Sequence, residues 1–393
     1  MSQIDIPAVR SGGSTQLSAA IHVGFVITGV VTTMLGPVLP ELTRRWSLDD
    51  AQAGYLFTAQ FMGSMTAAAC SGWLSSRLGL SRALCLGLGA MSAGVAGLIW
   101  SSYAAGLASV FVFGLGLGTT IPATNLLVAE WHPDRRAAAL NLLNFSWSIG
   151  AVASPPPIGF AIEGGYSNQA FAGIALFAIG TAAWIYWLRG GHATGSTRRI
   201  DQGSRGGLAL LRDPVIVLIG AFVFLYVGTE TSIGGWISSY SARLGRDKTS
   251  LWWLSTTMFW GALLAGRAAA PALLLRISES SLVRTGLIIS CGGIALLLFA
   301  RGNGLVFAGA FLAGIGFASV FPNTVARLSR HFGEESPRVA SPVFVCAGLG
   351  GAVVPWLVGR ISASSGSLRV GLLVPLASTV LMIGLQRAVG SRQ

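Results

Sequence analysis

One apolar run of this chain contains a single carboxylate, and it reads Phe224-Leu-Tyr-Val-Gly-Thr-Glu230-Thr-Ser-Ile-Gly-Gly-Trp236-Ile-Ser-Ser-Tyr240. The apolar character begins at Pro214, so the run is long enough to cross a bilayer. A carboxylate at that depth is costly unless it is protonated, paired or facing a water-filled cavity. Glu230 is therefore the first candidate for a functional residue. The alternative is a helix that packs on its neighbours through small residues and interfacial aromatics.

The side chains around Glu230 are of the kind that bind a small polyol or sugar. At about 100° per residue, one helix face carries Thr229, Ser232, Trp236 and Tyr240, with Glu230 just beside it. We predict that Tyr226, Trp236 and Tyr240 contact the substrate and that Glu230 handles a proton. A Glu230 that is protonated and hydrogen-bonded to Tyr226 or to a backbone carbonyl is the structural alternative.

The composition defines the class of protein. Of 393 residues, 52% are apolar and only 10% are charged, far below the charged share of soluble proteins. The chain is therefore an integral membrane protein, and the lipid bilayer is its environment. We find no nucleophile and base at catalytic spacing, no set of metal ligands and no phosphate-binding loop. The sequence predicts no enzyme activity, no cofactor and no metal.

The hydropathy pattern predicts an all-α membrane protein with twelve transmembrane helices in two six-helix bundles. The longest polar segment, 189–213, is rich in Gly, Ser, Thr and Arg, a composition that does not bury a core. It divides the chain into an N-terminal bundle at 1–188, a cytoplasmic linker at 189–213 and a C-terminal bundle at 214–393. The predicted spans are 19–40, 51–73, 83–101, 105–129, 138–161, 169–188, 214–240, 250–275, 282–300, 304–326, 339–360 and 369–387.

The net charge of +12 is carried almost entirely by Arg in the short connections between spans. This arrangement sets membrane topology, so we expect no nucleic-acid partner. With both termini cytoplasmic, seventeen basic residues lie on the inner side and eight on the outer side. The cluster from Arg243 to Lys248 is an outer exception. The first residues lack the features of a secretory signal, so we expect an uncleaved cytoplasmic tail on a monomeric, multi-pass inner-membrane protein.

The two halves of the sequence are related at an offset of 200 residues. Because the matches run without a gap across two spans and a loop, spans four and five repeat as ten and eleven. The matching pairs are Gly114/Gly314, Gly116/Gly316, Pro122/Pro322, Gly150/Gly350, Pro155/Pro355 and Gly159/Gly359.

Between the second and third spans the chain reads Gly72-Trp-Leu-Ser-Ser-Arg77-Leu-Gly79-Leu-Ser-Arg82. This resembles the loop signature Gly-x-x-x-Asp-Arg-x-Gly-Arg-Arg of the major facilitator superfamily, with Ser76 in the Asp position. In that family parallel six-helix halves alternate access to a central site, and this loop latches the halves. The resemblance assigns Arg77 and Arg82 a gating role. Simple positive-inside anchoring is the alternative.

Span seven is similar to the fucose/glucose/galactose–proton symporter group, as is Phe259-Trp260-Gly261 leading to Gly266-Arg267 in span eight. The resemblance implies a hexose or similar polyol as substrate and a proton gradient as driving force. Fucose-transporting members of the group carry an Asp in the first span and a Glu in the fourth. In this chain the Asp position falls on Gly36 or a close neighbour and the Glu position on Ile121. The proton route of the group therefore does not transfer, and either Glu230 takes that role or transport is not proton-coupled.

Helix geometry predicts that Glu230 and Arg267 lie at different depths in the membrane. Counted from the outer helix ends, Glu230 lies roughly 15 Å down and Arg267 roughly 25 Å down. We therefore expect Arg267 to anchor the inner end of its helix and to take part in conformational change, not to pair with Glu230.

The N-terminal half supplies uncharged groups that match sugar hydroxyls. Asn side chains both donate and accept hydrogen bonds, and an indole ring stacks on a pyranose face. Interhelical hydrogen bonding is the alternative for each Asn. We predict a proton-coupled monosaccharide transporter, with an exporter of amphipathic or drug-like compounds as the alternative. The remaining candidate substrate-binding residues are Asn125, Asn141, Asn144, Trp147 and Asn323.

Overall fold

The computed structural model describes residues 11–188, 214–245, 251–333 and 336–390. The predicted linker at 189–213, together with Arg246 and Lys248, lies outside the described residues. We number the membrane-crossing units α1 to α12 and mark two-part units with letters. Their bounds are α1a Ser11–Thr33, α1b Leu35–Trp46, α2 Asp50–Leu78, α3 Leu80–Gly97, α4 Tyr103–Trp131, α5a Arg136–Ala153, α5b Pro155–Glu163, α6 Ser167–Leu188, α7 Pro214–Leu244, α8 Leu254–Leu274, α9 Glu279–Phe299, α10a Asn303–Phe317, α10b Val320–Phe332, α11 Ser336–Ser365, α12a Leu368–Gly371 and α12b Leu373–Gly390.

The predicted class is confirmed: within the described ranges the chain is helical, and twelve units cross the membrane. Ten of them are long and apolar enough to span a bilayer by composition alone. The other two are α2, which carries several polar residues, and α5, which is interrupted. The interruption falls at Ser154, directly before the Pro155-Pro156-Pro157 run. A Pro within a helix removes a backbone donor and clashes with the preceding turn, which accounts for the break.

The glycines of the internal repeat occupy equivalent helix contacts in the two bundles. A Cβ on Gly150 of α5 would lie 2.0 Å from the backbone oxygen of Val26 in α1. A Cβ on Gly350 of α11 would lie 2.0 Å from the backbone oxygen of Phe224 in α7. Both helix pairs therefore approach so closely that only Gly fits. Gly114 and Gly314 make equivalent close contacts with α2 and α8. Gly116 and Gly316 do the same with α3 and α9.

The two bundles are joined at one end of the molecule. Because the chain crosses twelve times, Ser11 and Gly390 lie on one face, which we call the termini face, and the opposite face we call the sealed face. The principal contacts between the bundles are α1b with α7, α2 with α11, and α5 with α8. The close approaches of α2 and α11 run from Gly359 on Asp50 at the sealed face to Gly348 on Met65 near the middle of both helices. At Gly36 of α1b, a Cβ would lie 2.4 Å from the backbone oxygen of Gly234 in α7.

An ionic contact reinforces the sealed face. Arg243 at the end of α7 donates to both carboxylate oxygens of Asp50 at the start of α2. Ser362 of α11 donates to the same carboxylate. One residue of the N-terminal bundle thus holds two helices of the C-terminal bundle. Arg243 belongs to the basic cluster at 243–248 that departs from the predicted charge distribution. This contact gives it a structural role.

Two other basic residues at this face cap helix ends. Arg45 of α1b donates to the backbone oxygen of Leu98 at 3.1 Å, where α3 ends. Arg369 of α12a donates to the backbone oxygen of Ala300 at 2.7 Å, where α9 ends. A guanidinium satisfies the orphan carbonyls of a helix C-terminus and interacts favourably with its dipole. The third helix of each bundle is therefore capped in the same way.

Candidate functional site

Glu230 and Arg267 form an ion pair inside the C-terminal bundle. Nη2 of Arg267 lies 3.4 Å from Oε1 of Glu230. The expectation that depth would keep the two residues apart is wrong. The structure extends α7 to Leu244 and begins α8 at Leu254, so Glu230 and Arg267 lie 14 and 13 residues from these helix ends, both about 20 Å deep. The Glu230 side chain is 14% exposed and the Arg267 side chain is 26% exposed, so the pair is mostly buried but still accessible.

Tyr226 fixes the position of the carboxylate. Its hydroxyl lies 3.0 Å from Oε1 of Glu230 and 3.3 Å from the backbone oxygen of Phe317. Its ring packs against Phe317 and Phe321, with both centroids 5.8 Å away. The hydrogen bond between Tyr226 and Glu230 agrees with the structural alternative drawn from the sequence. Because Tyr226 is fully buried, its prediction as a direct substrate contact stays a prediction.

Two tryptophans meet where the bundles join. The rings of Trp147 in α5a and Trp260 in α8 lie 5.7 Å apart in an edge-to-face arrangement. The indole N–H of Trp147 donates to the hydroxyl of Thr32 in α1a at 3.4 Å. Along α7 and α8, Glu230 and Arg267 lie on the termini side of this ring pair. Sequence reasoning did not select Trp260 or Thr32 as site residues, because a Trp or a Thr within a span usually indicates packing.

Asn141 and Asn144 lie on the face of α5 that points to the other bundle. At 100° per residue they share that face with Val152, whose Cγ1 lies 3.9 Å from where a Cβ on Gly261 of α8 would be. Both Asn residues are exposed, whereas Trp147, which follows toward the sealed face, is half-buried. The gap between α5 and α8 is thus open on the termini side of the two tryptophans, and these Asn side chains face it.

Asn144 also donates from Nδ2 to the backbone oxygen of Leu140 at 2.9 Å, and the other two Asn candidates likewise bond within their own helices. Asn125 donates from Nδ2 to the backbone oxygen of Ile121 at 2.8 Å. Asn323 is buried and donates from Nδ2 to the backbone oxygen of Ser319 at 2.7 Å. In both, the side chain bonds the carbonyl of the residue four positions earlier on its own helix. One donor of each amide is therefore occupied, and substrate binding by these residues stays a prediction.

Trp236 and Tyr240 lie closer to the sealed face and are buried. Trp236 donates from its indole to the backbone oxygen of Pro355 at 2.9 Å and packs on Phe57 of the N-terminal bundle. Tyr240 donates to the backbone oxygen of Leu297 at 2.8 Å. In this conformation their polar atoms bond to the protein, so substrate contact by either requires a rearrangement.

The loop signature lies at the junction of α2 and α3. Arg77 and Arg82 are exposed, and the Arg77 guanidinium lies 5.8 Å above the ring of Trp73. Gly79 has a φ of +81°, a left-handed conformation that favours glycine. The Gly of the signature is therefore explained by backbone geometry, whereas the gating role of the two Arg residues stays a prediction.

The sequence profile of the Major Facilitator Superfamily matches residues 21–245. The chain belongs to this family, and it is a multi-pass membrane transporter, not an enzyme.

Comparisons with individual proteins agree with this assignment. "Sodium-dependent glucose transporter 1" of Xenopus laevis is 22% identical over 380 residues, covering 88% of this chain and 76% of that protein. The crystal structure of the nucleoside transporter NupG superposes with a TM-score of 0.75 at 12% identity, covering 97% of this chain and 98% of that chain. That of the Major Facilitator Superfamily transporter FucP, in the outward conformation, superposes with a TM-score of 0.63 at 18% identity, covering 95% of this chain and 98% of that chain. The structures support the fold, and the glucose transporter is a relative of the whole chain.

Proposed function

We propose that this chain carries a monosaccharide, most simply a hexose, across the cell inner membrane by alternating access. The observation that carries the proposal is the gap on the termini side of Trp147 and Trp260. It presents aromatic rings, the exposed amides of Asn141 and Asn144, and the Glu230–Arg267 pair. Rings that stack on a pyranose and amides that match its hydroxyls suit a neutral polyol. The relationship to a protein named as a glucose transporter supports the same substrate class.

We propose that the termini face is cytoplasmic, so that the conformation described opens inward. The excess of Arg on that side supports this orientation. Residues 1–188 and 214–393 then act as the two rocking units of a monomer, with 189–213 as the connection between them.

We also propose that transport is coupled to protons through Glu230. Protonation of the carboxylate would neutralise the partner of Arg267 and weaken the ion pair, so the Arg267 donors would become available to a substrate acceptor. Proton uptake and substrate binding would thereby favour each other. The related glucose transporter is named for sodium, so the coupling test has to include both ions.

The alternative substrate class also has a supporting observation. A cavity of about 400 Å³ lies between α7 and α11 and is lined almost entirely by apolar atoms. Its lining includes Ile216, Phe224 and Val343. An apolar cavity suits an exporter of amphipathic or drug-like compounds, and such compounds belong in the same assay.

Purified chain in proteoliposomes tests these proposals directly. We expect counterflow of one labelled hexose. We also expect this hexose to accumulate when an inwardly directed proton gradient is imposed, but not when a sodium gradient replaces it. Nucleosides and hydrophobic amines are run alongside. Transport of the amines without any hexose would replace the sugar proposal by the exporter.

The Glu230→Gln variant tests the coupling. Gln retains the size and an acceptor oxygen but takes up no proton, so we expect exchange to continue while gradient-driven accumulation is lost. Glu163→Gln, at an exposed position at the end of α5b, is the matched control. Unchanged accumulation in Glu230→Gln would remove this residue from the proton route.

A further inference from the structure

Three residues of the α8 region follow one another at intervals of seven. Trp253 precedes the helix directly, Trp260 lies two turns further on, and Arg267 two turns beyond that. This spacing places them on one face, each about 10 Å from the next along the axis. The series begins near the sealed face and ends at the Glu230–Arg267 pair.

Both tryptophans contact an aromatic ring of the other bundle. Trp253 packs against Phe160 of α5b with 4.7 Å between ring centroids, and Trp260 packs against Trp147 at 5.7 Å. A Cβ on Gly159 would also lie within 2.1 Å of the Trp253 ring. The seam between α5 and α8 is thus closed by two ring pairs, each with one ring from each bundle. Separation of the bundles on the sealed side would separate both pairs.

The indole N–H groups of Trp253 and Trp260 are buried without a hydrogen-bond partner among the described residues. The two residues are only 5% and 8% exposed. Trp147 and Trp236, in the same region, both donate to oxygen atoms of the protein. A buried donor that lacks a partner is costly, and each such group in a native structure calls for an explanation.

We propose that the α5–α8 seam is the route by which a sugar reaches the central site from the sealed face. Trp253 forms a first binding position and Trp260 a second. At each, the apolar face of a pyranose stacks on the indole ring while a hydroxyl accepts the indole N–H. The two unpartnered donors are those that the opened seam offers to the sugar. This inference rests on the proposed function and adds a binding position that the central site does not include.

Substitution by Phe separates stacking from hydrogen bonding, because it keeps an aromatic ring and removes the N–H. The variants are Trp253→Phe and Trp260→Phe, with Trp187→Phe as the control. Trp187 is 76% exposed on α6, away from the seam. Uptake of the transported hexose is measured in right-side-out and inside-out membrane vesicles, which present opposite faces of the chain.

For Trp253→Phe we expect KM to rise about fivefold for entry from the sealed face, the usual effect of losing one neutral hydrogen bond. KM for entry from the termini face should not change. Trp260→Phe, which acts at the central site, should raise KM from both faces. If Trp253→Phe does not fold, Trp253→Leu, which removes both the ring and the N–H, should give a larger one-sided rise.

Equal KM values for Trp253→Phe and Trp187→Phe, or an equal rise from both faces, would overturn the entry route while leaving sugar transport intact. Absence of hexose transport by the unaltered chain would instead overturn the proposed function and this inference with it.

Discussion

Oε1 of Glu230 accepts hydrogen bonds from both the Tyr226 hydroxyl and the Arg267 guanidinium. An embedded ion pair of this kind adds little net stability, because desolvation of both charges opposes their attraction. Loss of one partner is different, since it leaves an uncompensated charge in a medium of low polarity. The pair is therefore self-compensated only when both groups are charged, and a proton on the carboxylate leaves the Arg267 guanidinium in need of another acceptor, such as a substrate.

This reasoning predicts the effect of Arg267→Gln on stability. The variant leaves Glu230 without its cation, and we expect a loss of about 3 kcal/mol in the free energy of unfolding. The double variant Glu230→Gln/Arg267→Gln removes both charges and should recover most of that loss. Thermal unfolding in detergent measures both, with Arg284→Gln, at an exposed position of α9, as the control. If the double variant is no more stable than Arg267→Gln, the two residues are not energetically coupled.

Sequence reasoning found individual chemical groups better than their partners. A lone carboxylate in an apolar run is easily recognised as a candidate, because placing its charge in the bilayer costs free energy. Its hydrogen bond to Tyr226 was foreseeable, since residues four apart meet on a helix. The pairing with Arg267 was missed, because both predicted outer helix ends were four residues too early, which made Glu230 too shallow and Arg267 too deep. Trp260 was missed as well, because only the three-dimensional contact with Trp147 distinguishes it from a packing residue.

Helices α1 and α7 are equivalent elements of the two bundles, and their far ends cross at two glycines. The backbone oxygen of Gly234 occupies the space that a side chain on Gly36 would need. Sequence reasoning recognised Gly36 only as the residue at a missing carboxylate position. The offset of 200 residues, in contrast, correctly predicted which helices repeat, because close helix packing depends on Gly at fixed positions.

The crossing at Gly36 predicts that Gly36→Ala opens the sealed face. A Cβ 2.4 Å from a backbone oxygen forces α1b and α7 apart, so the sealed state should lose population. Gly89→Ala in α3 is the control, because a Cβ there has nothing within 4 Å. Spin labels at positions 163 and 364, both exposed at the sealed face, report the separation of the bundles in a cysteine-free background. We expect longer distances for Gly36→Ala only, and an unchanged distribution would show that the crossing tolerates the methyl group.

Across the whole molecule, the sealed face combines contacts of opposite effect. The Asp50 carboxylate, bonded by Arg243 and Ser362, stabilises closure. The buried indole N–H groups of Trp253 and Trp260, which have no partner among the residues that the structure describes, oppose it. Such a balance keeps the two states of a transporter close in free energy, as rocking around a fixed site requires. The distribution of basic residues predicts an orientation in the membrane but not this balance, because charge counting does not show which Arg has a partner in the other bundle.

This balance predicts that Asp50→Asn shifts the molecule toward opening at the sealed face. The side chains of Arg243 and Asp50 are 44% and 10% exposed, so solvent screens the pair and its loss should change the equilibrium only about fivefold. Asn at this position still accepts the Ser362 hydroxyl, so the variant isolates the ionic contact. A cysteine at Ser239, a buried position on α7 whose hydroxyl has no described partner, reports opening by its reaction rate with an impermeant maleimide. We expect the rate to rise about fivefold in Asp50→Asn and to stay constant in Glu163→Gln, which removes a charge elsewhere on the same face. Equal rates in the two variants would mean that helix packing alone closes this side, and that Asp50 contributes to the local structure of α2 without controlling access.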